Sequence, residues 1–488
     1  MTNKRKNLKV NTILNMLKTC CGIMFPLLTY PYVSRILGPN NMGKINFSSS
    51  YISYFSLLAM LGMGTYSIRE CSKIRDDRGR LSRLSSELYS ISIVTTSISY
   101  IFLMISLLMI RQIENYKEII IIQSFVIVLT TVGADWLNSA MEDFAYITIR
   151  TIFFQILSIS MMFVFIHDRE DYLIYVAITV LSSCGANIVN FFYRKKYCNT
   201  RFILHMNIKK HLPAITILFV MILAQTIFSS ADITMLGLVK GDYEVGIYSM
   251  ASKIERIISN IVSSTCLVLT PRMAYMFENN TYEEINKMLR KILSVFLVMG
   301  LPAFTGSFVI SEELVLLVGG KEYADSTIVL KILLFSFLFS IVGGSFIGNI
   351  IMISSGKEKI YMITCCIATV ENVILNLILI PYAGAVAAAF TTVISSVTIT
   401  GILYWKLDKN IKIPCKRELV QAPLIGSIFI YIFCSVVKSI IKSFVVHTFI
   451  CIIGSVIIYI IVLIIFKNEM ICSMLDNIRM RIKNDKKR

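Results

Sequence analysis

A chain of 488 residues that is 56% hydrophobic and only 16% charged, with a mean hydropathy of +0.70, falls well below the ~25% charge of soluble domains and reads as a polytopic membrane protein. Its net charge of +18 does not point to nucleic acid, because Lys and Arg lie between hydrophobic runs and no basic stretch interleaved with aromatics forms a soluble module. The 12 cysteines fall mostly inside apolar runs, include the adjacent pairs Cys20 with Cys21 and Cys365 with Cys366, and show no CxxC spacing; with 4 scattered histidines they indicate neither a disulfide framework nor a metal site, and no cofactor motif is present.

Apolar runs of about 20 residues or more, enough to cross a bilayer, define the predicted elements in chain order. The first six lie at Val10 to Val33, Ile45 to Ile68, Leu88 to Ile110, Ile119 to Leu137, Phe144 to Ile166 and Tyr172 to Tyr193. A second six lie at Pro213 to Val239, Val245 to Leu269, Ile292 to Val318, Thr327 to Ser354, Ile360 to Pro381 and Gly384 to Trp405. Leu419 to Ser439 and Val446 to Phe466 bring the expected total to about 14 helices in an all-α protein. The division follows as residues 1–193 (N-lobe), 194–212 (basic cytoplasmic linker), 213–405 (C-lobe) and 406–488 (two further helices and a basic tail). The basic lead Lys4 to Lys9 precedes an apolar run without a small-residue cleavage site, so it reads as a retained first helix.

Alternate loops carry the positive charge. The N-terminus, the loops after even-numbered helices and the tail hold about 34 of the 48 Lys and Arg residues, against about 9 in the odd-numbered loops, which predicts that both termini are cytoplasmic. Arg78 to Leu88, with Leu81, Leu84 and Leu88 on one side, reads as a short interfacial helix. The two halves echo one another: Leu37-Gly38, a short polar loop and Gly43 in the first, then Leu236-Gly237, a short polar loop and Gly246 in the second. An even number of helices per half gives repeats of the same orientation, with a site expected between them near the midplane.

The run Val245 to Leu269 carries the strongest functional signal. Ser249, Lys253, Arg256, Asn260 and Ser263 follow at three- or four-residue spacing and share one helix face, with Glu255 beside it. A charge at a helix centre costs roughly 2.5–3.5 kcal/mol in lipid, so this face is expected to meet protein or water. Asp232 lies at similar depth on the preceding run and can pair with Lys253, but one carboxylate cannot neutralise both cations; a packing salt bridge and the wall of a translocation cavity both remain open. Lys18 lies on a polar face of the first helix, and Asn46, Ser49 or Ser50, Ser53 and Ser56 form a polar stripe on the second. Glu371 sits near the centre of helix 11 beside Asn372 and Asn376, either as a proton or cation site or as the partner of a Lys. Arg150 and Lys331, near helix ends, are expected to snorkel, Asp135 and Glu142 to cap a cytoplasmic turn or lie at the interface, and Gly344 with Gly348 to allow close helix packing. No GxSxG, HExxH or P-loop is present and no loop is long enough for a catalytic domain, so an enzyme is not expected.

Five stretches, in order, resemble a known family: FPLLTYPYVSRILGPNNMGKINFSSSYISYF, LGMGTYSIRE, DWLNSAMEDFAYITIR, ADITMLGLVKGDYEVGIYSMASKI and VGGKEYADS. Together they are similar to the Wzx-type polysaccharide (O-antigen and capsule) flippases, in the superfamily that also holds multidrug and toxin extruders and the lipid II flippase. The resemblance implies two six-helix lobes arranged as a V, two additional helices, and alternating access across the cytoplasmic (inner) membrane. The implied substrate is an undecaprenyl-diphosphate-linked oligosaccharide. It implies cationic cavity residues on the diphosphate, which fits Lys253 and Arg256, with Lys18 and Asn260 as further lining. Asp232, Glu255 and Glu371 are candidate ion-coupling positions. Membrane lipids, a polysaccharide polymerase and chain-length machinery are the partners implied, and no nucleic acid. The competing reading is a cation-coupled multidrug extruder of the same architecture, which would need acidic residues to dominate the cavity.

Overall fold

The computed structural model describes residues 8–204, 206–279, 281–412, 417–441 and 443–466, and among them the regular structure is helical without strands. Among the described residues, eleven helices are long and apolar enough to cross a membrane. One of these, Glu358–Trp405, is broken at Gly384, and the preceding Leu8–Met60 helix, broken at Gly38, supplies two more crossings, which gives the fourteen expected. The chain divides into two compact units, Met1–Gly246 and Ile247–Arg488.

In the first unit, α1 (Leu8–Met60) is reset at Gly38 (φ 73, ψ 173), and Pro39 immediately restarts the helix. The polar loop expected at residues 39–42 is therefore helical, because proline is preorganised for a first helical position and loses no needed N–H there. Then follow α2 (Met63–Lys73), α3 (Arg78–Met109), α4 (Lys117–Gly133), the short α5 (Trp136–Ala140), α6 (Phe144–Phe165), α7 (Tyr172–Tyr193) and α8 (Ile208–Val239). Asp77 caps α3 by accepting from the backbone N–H groups of Gly79 and Arg80. The interfacial helix expected at 78–88 is instead the first turns of this membrane helix. Leu81 and Leu88 are buried against Met63, Tyr66 and Trp136, so its apolar side faces protein.

The sequence echo has a structural meaning. A Cβ placed on Gly43 would lie 1.8 Å from the Asp242 carbonyl oxygen, and one on Gly246 would lie 2.1 Å from the Pro39 carbonyl oxygen. Two backbones cross here reciprocally, and only glycine admits that approach.

The second unit contains most of α9 (Asp242–Asn279), then α10 (Tyr282–Val309), α11 (Ser311–Gly319), α12 (Ser326–Ser340), α13 (Glu358–Trp405), α14 (Arg417–Ile440) and α15 (Phe444–Ile465). Beyond α12 the chain is wound as a π-helix over Ile341–Ile353. Here a Cβ on Gly348 would meet the Tyr361 ring at 2.7 Å, which is the close packing expected of the GxxxG pair. The last two helices are fastened through a buried carboxylate that sequence reading passed over. Glu313 Oε1 accepts from Lys438 Nζ at 2.7 Å and lies 3.0 Å from His447 Nε2.

Candidate functional site

Helix α9 presents the polar face that its spacing predicts. Ser249 is buried, Lys253 and Glu255 are half-buried, and Arg256 and Asn260 are exposed, while Ala251, Ile254 and Val262 on other faces are buried. The Ser263 hydroxyl meets the Ser345 hydroxyl of the π-helical segment at 3.0 Å, so the lower end of the stripe is anchored to protein and the charged part lies a turn or more above it. Asp232 is buried on α8 of the first unit, whereas Lys253 belongs to the second. The side chain of Lys18 lies outside the described residues.

Glu371 is half-buried on α13, and its Oε2 is enclosed without a hydrogen-bond partner among the described residues. Beside it runs a buried chain across the break in α13: Asn376 Nδ2 donates to Asn372 Oδ1 at 3.0 Å, and Thr391 Oγ1 donates to Asn376 Oδ1 at 2.5 Å. Thr391 was not singled out in the sequence, because a threonine in an apolar run carries no signal until the fold folds it back on Asn376. The neighbouring Thr392 hydroxyl lies 3.4 Å from Tyr248 of α9, which ties the polar helix to the second half of α13.

The first unit holds a cavity of about 640 Å³ with no ionisable side chain in its lining. Ser49, Ser53 and Ser56 of α1 line it, with Gln123 of α4, Ser183 of α7 and Thr226 of α8. Gln123 Nε2 donates to Ser49 Oγ at 2.8 Å and orients that hydroxyl. The Ser50 hydroxyl, on the next face, instead seals α1 to α8 through the Ser230 carbonyl at 2.8 Å. The stripe Ser49, Ser53 and Ser56 thus faces the cavity, whereas Ser50 serves packing.

Two expectations for charged residues change. Arg150 does not snorkel: it is buried, pairs with Asp135 and lies over the Tyr146 ring at 5.1 Å. Asp135 accordingly provides no side-chain cap to α5 but accepts from Arg150 and, at 3.1 Å, from Asn138. A cation whose counterion sits on the preceding turn gains more from the buried pair and the ring than from reaching water. Lys331 is half-buried, with its ammonium 5.8 Å from the Phe308 ring centre.

Residues 8–277 match the family described as polysaccharide biosynthesis protein, and residues 218–378 match the MatE family. The capsular polysaccharide biosynthesis protein CapF of Staphylococcus aureus is 24% identical over 409 residues, covering 80% of this chain and 96% of that protein. A protein of Escherichia coli strain K12 that carries a provisional name as an O-antigen transporter is 22% identical over 426 residues, covering 85% of this chain and all of its own length. Among solved structures, the lipid II flippase MurJ in an inward closed conformation superposes with a TM-score of 0.73 at 14% identity, covering 96% of this chain and 99% of its own. At that identity the likeness concerns the fold. By its sequence over more than half its length, the chain belongs to the polysaccharide biosynthesis protein family, within the superfamily of multidrug, oligosaccharidyl-lipid and polysaccharide exporters.

Proposed function

We propose that this protein is a flippase that carries a lipid-linked oligosaccharide across the membrane for surface polysaccharide synthesis, by alternating access and without covalent chemistry. The observation that carries the reading is the pairing of two kinds of lining: a cationic stripe on a membrane helix, and an uncharged hydroxyl-lined cavity. Lys253 and Arg256, with Asn260 and Lys18, hold the diphosphate of an undecaprenyl carrier; hydroxyl and amide groups suit sugar hydroxyls, which both donate and accept. The names of the relatives, O-antigen transporter and capsular polysaccharide biosynthesis protein, support the same substrate class. Asp232, Glu255 and Glu371 are the groups through which an ion gradient would couple. The protein lies in the cytoplasmic membrane with both termini on the cytoplasmic side, and residues 1–193 and 213–405 form its two lobes. A polymerase and chain-length machinery would receive the product.

A cation-coupled multidrug extruder is the second reading, supported by the MatE match over residues 218–378. The stripe on α9 disfavours it, since Lys253 and Arg256 outnumber Glu255 where a cationic drug would bind. The deciding experiment measures export of the lipid-linked glycan and membrane abundance for Lys253→Ala, Arg256→Ala and the double change Lys253→Ala with Asp232→Asn. Lost export at normal abundance in both single variants supports the diphosphate site; normal export in both sinks it. Export restored by the double change would reassign Lys253 to a salt bridge with Asp232. Orientation is checked separately: cysteines at Asn40 and Asn115 should label from outside intact cells, and those at Asp77 and Asn199 should not.

A further inference from the structure

The first unit has a second pocket, of about 430 Å³, formed where the end of α2, the start of α3 and the start of α8 meet. Its lining carries four cations, Lys73, Arg80, Arg83 and Lys210, against two carboxylates, Glu70 and Glu87. The carboxylates are engaged from within the protein. Glu70 accepts from Lys73 at 2.9 Å and from Arg69 at 3.0 Å, and Lys73 holds its carboxyl below the usual range. Glu87 Oε2 lies 3.3 Å from Nε2 of the buried His211, and its Oε1 lies 3.6 Å from Arg83 Nε. Tyr66 completes the floor: its hydroxyl lies 2.7 Å from His211 Nδ1, so both ring nitrogens of this buried histidine meet a polar partner. The floor therefore fixes the acids, while the side chains of Arg80 and Arg83 stay 79% and 84% exposed at the rim. Arg80 also meets Asp77 at 3.2 Å, a pair open to water and weak for that reason.

From this juxtaposition we infer that the pocket binds a phosphate oxyanion, held by Arg80, Arg83 and Lys210, and that its source is the headgroup of an acidic phospholipid. Two positive charges in excess over the lining carboxylates match a phosphate, and guanidinium groups present the two-toothed donors that phosphate oxygens accept. The surroundings select a lipid. Phe202, Leu204, Ile208 and Leu212, just before and around Lys210, expose apolar side chains at 49%, 80%, 44% and 50%, as a segment lying in the headgroup layer does. The site is separate from the substrate stripe on α9 and does not depend on the transport reading.

The test uses the full-length protein in detergent and native mass spectrometry, with phosphatidylglycerol or phosphatidylcholine of the same acyl chains added at equal concentration. Wild type retains phosphatidylglycerol in preference. Each of Arg80→Gln, Arg83→Gln and Lys210→Gln lowers that retention about fivefold, and the triple change brings it to the phosphatidylcholine level. The single Lys210→Gln change, at an exposed position, keeps the test valid if the triple variant folds poorly. Equal retention of the two lipids by wild type, or unchanged preference in the variants, overturns the site. Inorganic phosphate added at millimolar concentration should leave the lipid adduct in place; its displacement of the lipid would overturn the lipid source in favour of a soluble phosphate.

Discussion

The hydroxyl-lined cavity of the first unit and the charged helix of the second solve the problem of polarity inside a membrane in different ways. The cavity spreads its polarity over Ser49, Ser53, Ser56, Gln123, Ser183 and Thr226, none of which carries a full charge, so each costs little to keep from bulk water. Helix α9 concentrates Lys253, Glu255 and Arg256 in one turn, where each costs several times more. Neutral groups that donate and accept suit a ligand made of hydroxyls; a dense positive turn suits a compact anion. The proposed substrate has both parts, and under the proposal each meets its own lining.

Substitutions in the two linings should differ in the size of their effect. The largest loss of substrate binding is at α9. Removal of one cation from a charge-assisted contact costs about 1.5–3 kcal/mol, so Arg256→Ala should lower substrate affinity about tenfold to more than a hundredfold, and Arg256→Lys should fall between it and wild type. Radiolabelled lipid-linked glycan binding at normal protein abundance checks it, and unchanged affinity would erase the distinction between the two linings.

Charges that only hold structure should behave otherwise. Glu313→Ala removes the acceptor of Lys438 and His447 and should destabilise the docking of α14 and α15 by about 3 kcal/mol, seen as a lower thermal transition and less protein in the membrane. Burial pushes the Glu313 carboxyl up, but Lys438 and His447 outweigh it and its net shift is downward. Its stabilising contribution is therefore complete above the ordinary glutamate value of 4.5 and is lost as pH falls below that, through the depressed folded value. A thermal-stability profile in which the Glu313→Gln variant lacks this acid-side loss would confirm it; identical acid-side profiles would contradict it.

A smaller effect is expected at Arg150. Its pairing with Asp135 and its place over Tyr146 demand a planar guanidinium, so Arg150→Lys should destabilise by about 1 kcal/mol and Arg150→Ala by about 2 kcal/mol, without changing substrate affinity in the protein that folds. Smallest is the cavity: Ser53→Val should weaken binding of the glycan-bearing substrate by about 1 kcal/mol, roughly fivefold, and leave a sugar-free polyprenyl diphosphate unaffected.

Helix number and the polar face of α9 were legible because both depend on local pattern: apolar length sets a crossing, and three- or four-residue spacing sets a face. The glycine echo was legible as a pattern but not as a contact, since Gly43 and Gly246 acquire their meaning only when Asp242 and Pro39 come against them. What escaped depends on partners distant in sequence. Arg150 looked like a snorkelling residue until the turn before α6 placed Asp135 beside it; Glu313 carried no signal within the run Ile292 to Val318 until Lys438 and His447 closed on it from α14 and α15. Leu81 and Leu88 looked lipid-facing, but an apolar stripe does not say whether protein or lipid covers it, and here protein does.

In the proposed mechanism the cations of α9, and not the neutral cavity, recognise the diphosphate. Its most direct test is equilibrium binding of a sugar-free polyprenyl diphosphate, compared with the monophosphate, to purified wild type, Arg256→Ala and Ser53→Val. The predicted result is tighter binding of the diphosphate by wild type and by Ser53→Val, with that preference lost in Arg256→Ala. A preference for the diphosphate that survives in Arg256→Ala and disappears in Ser53→Val would contradict the claim.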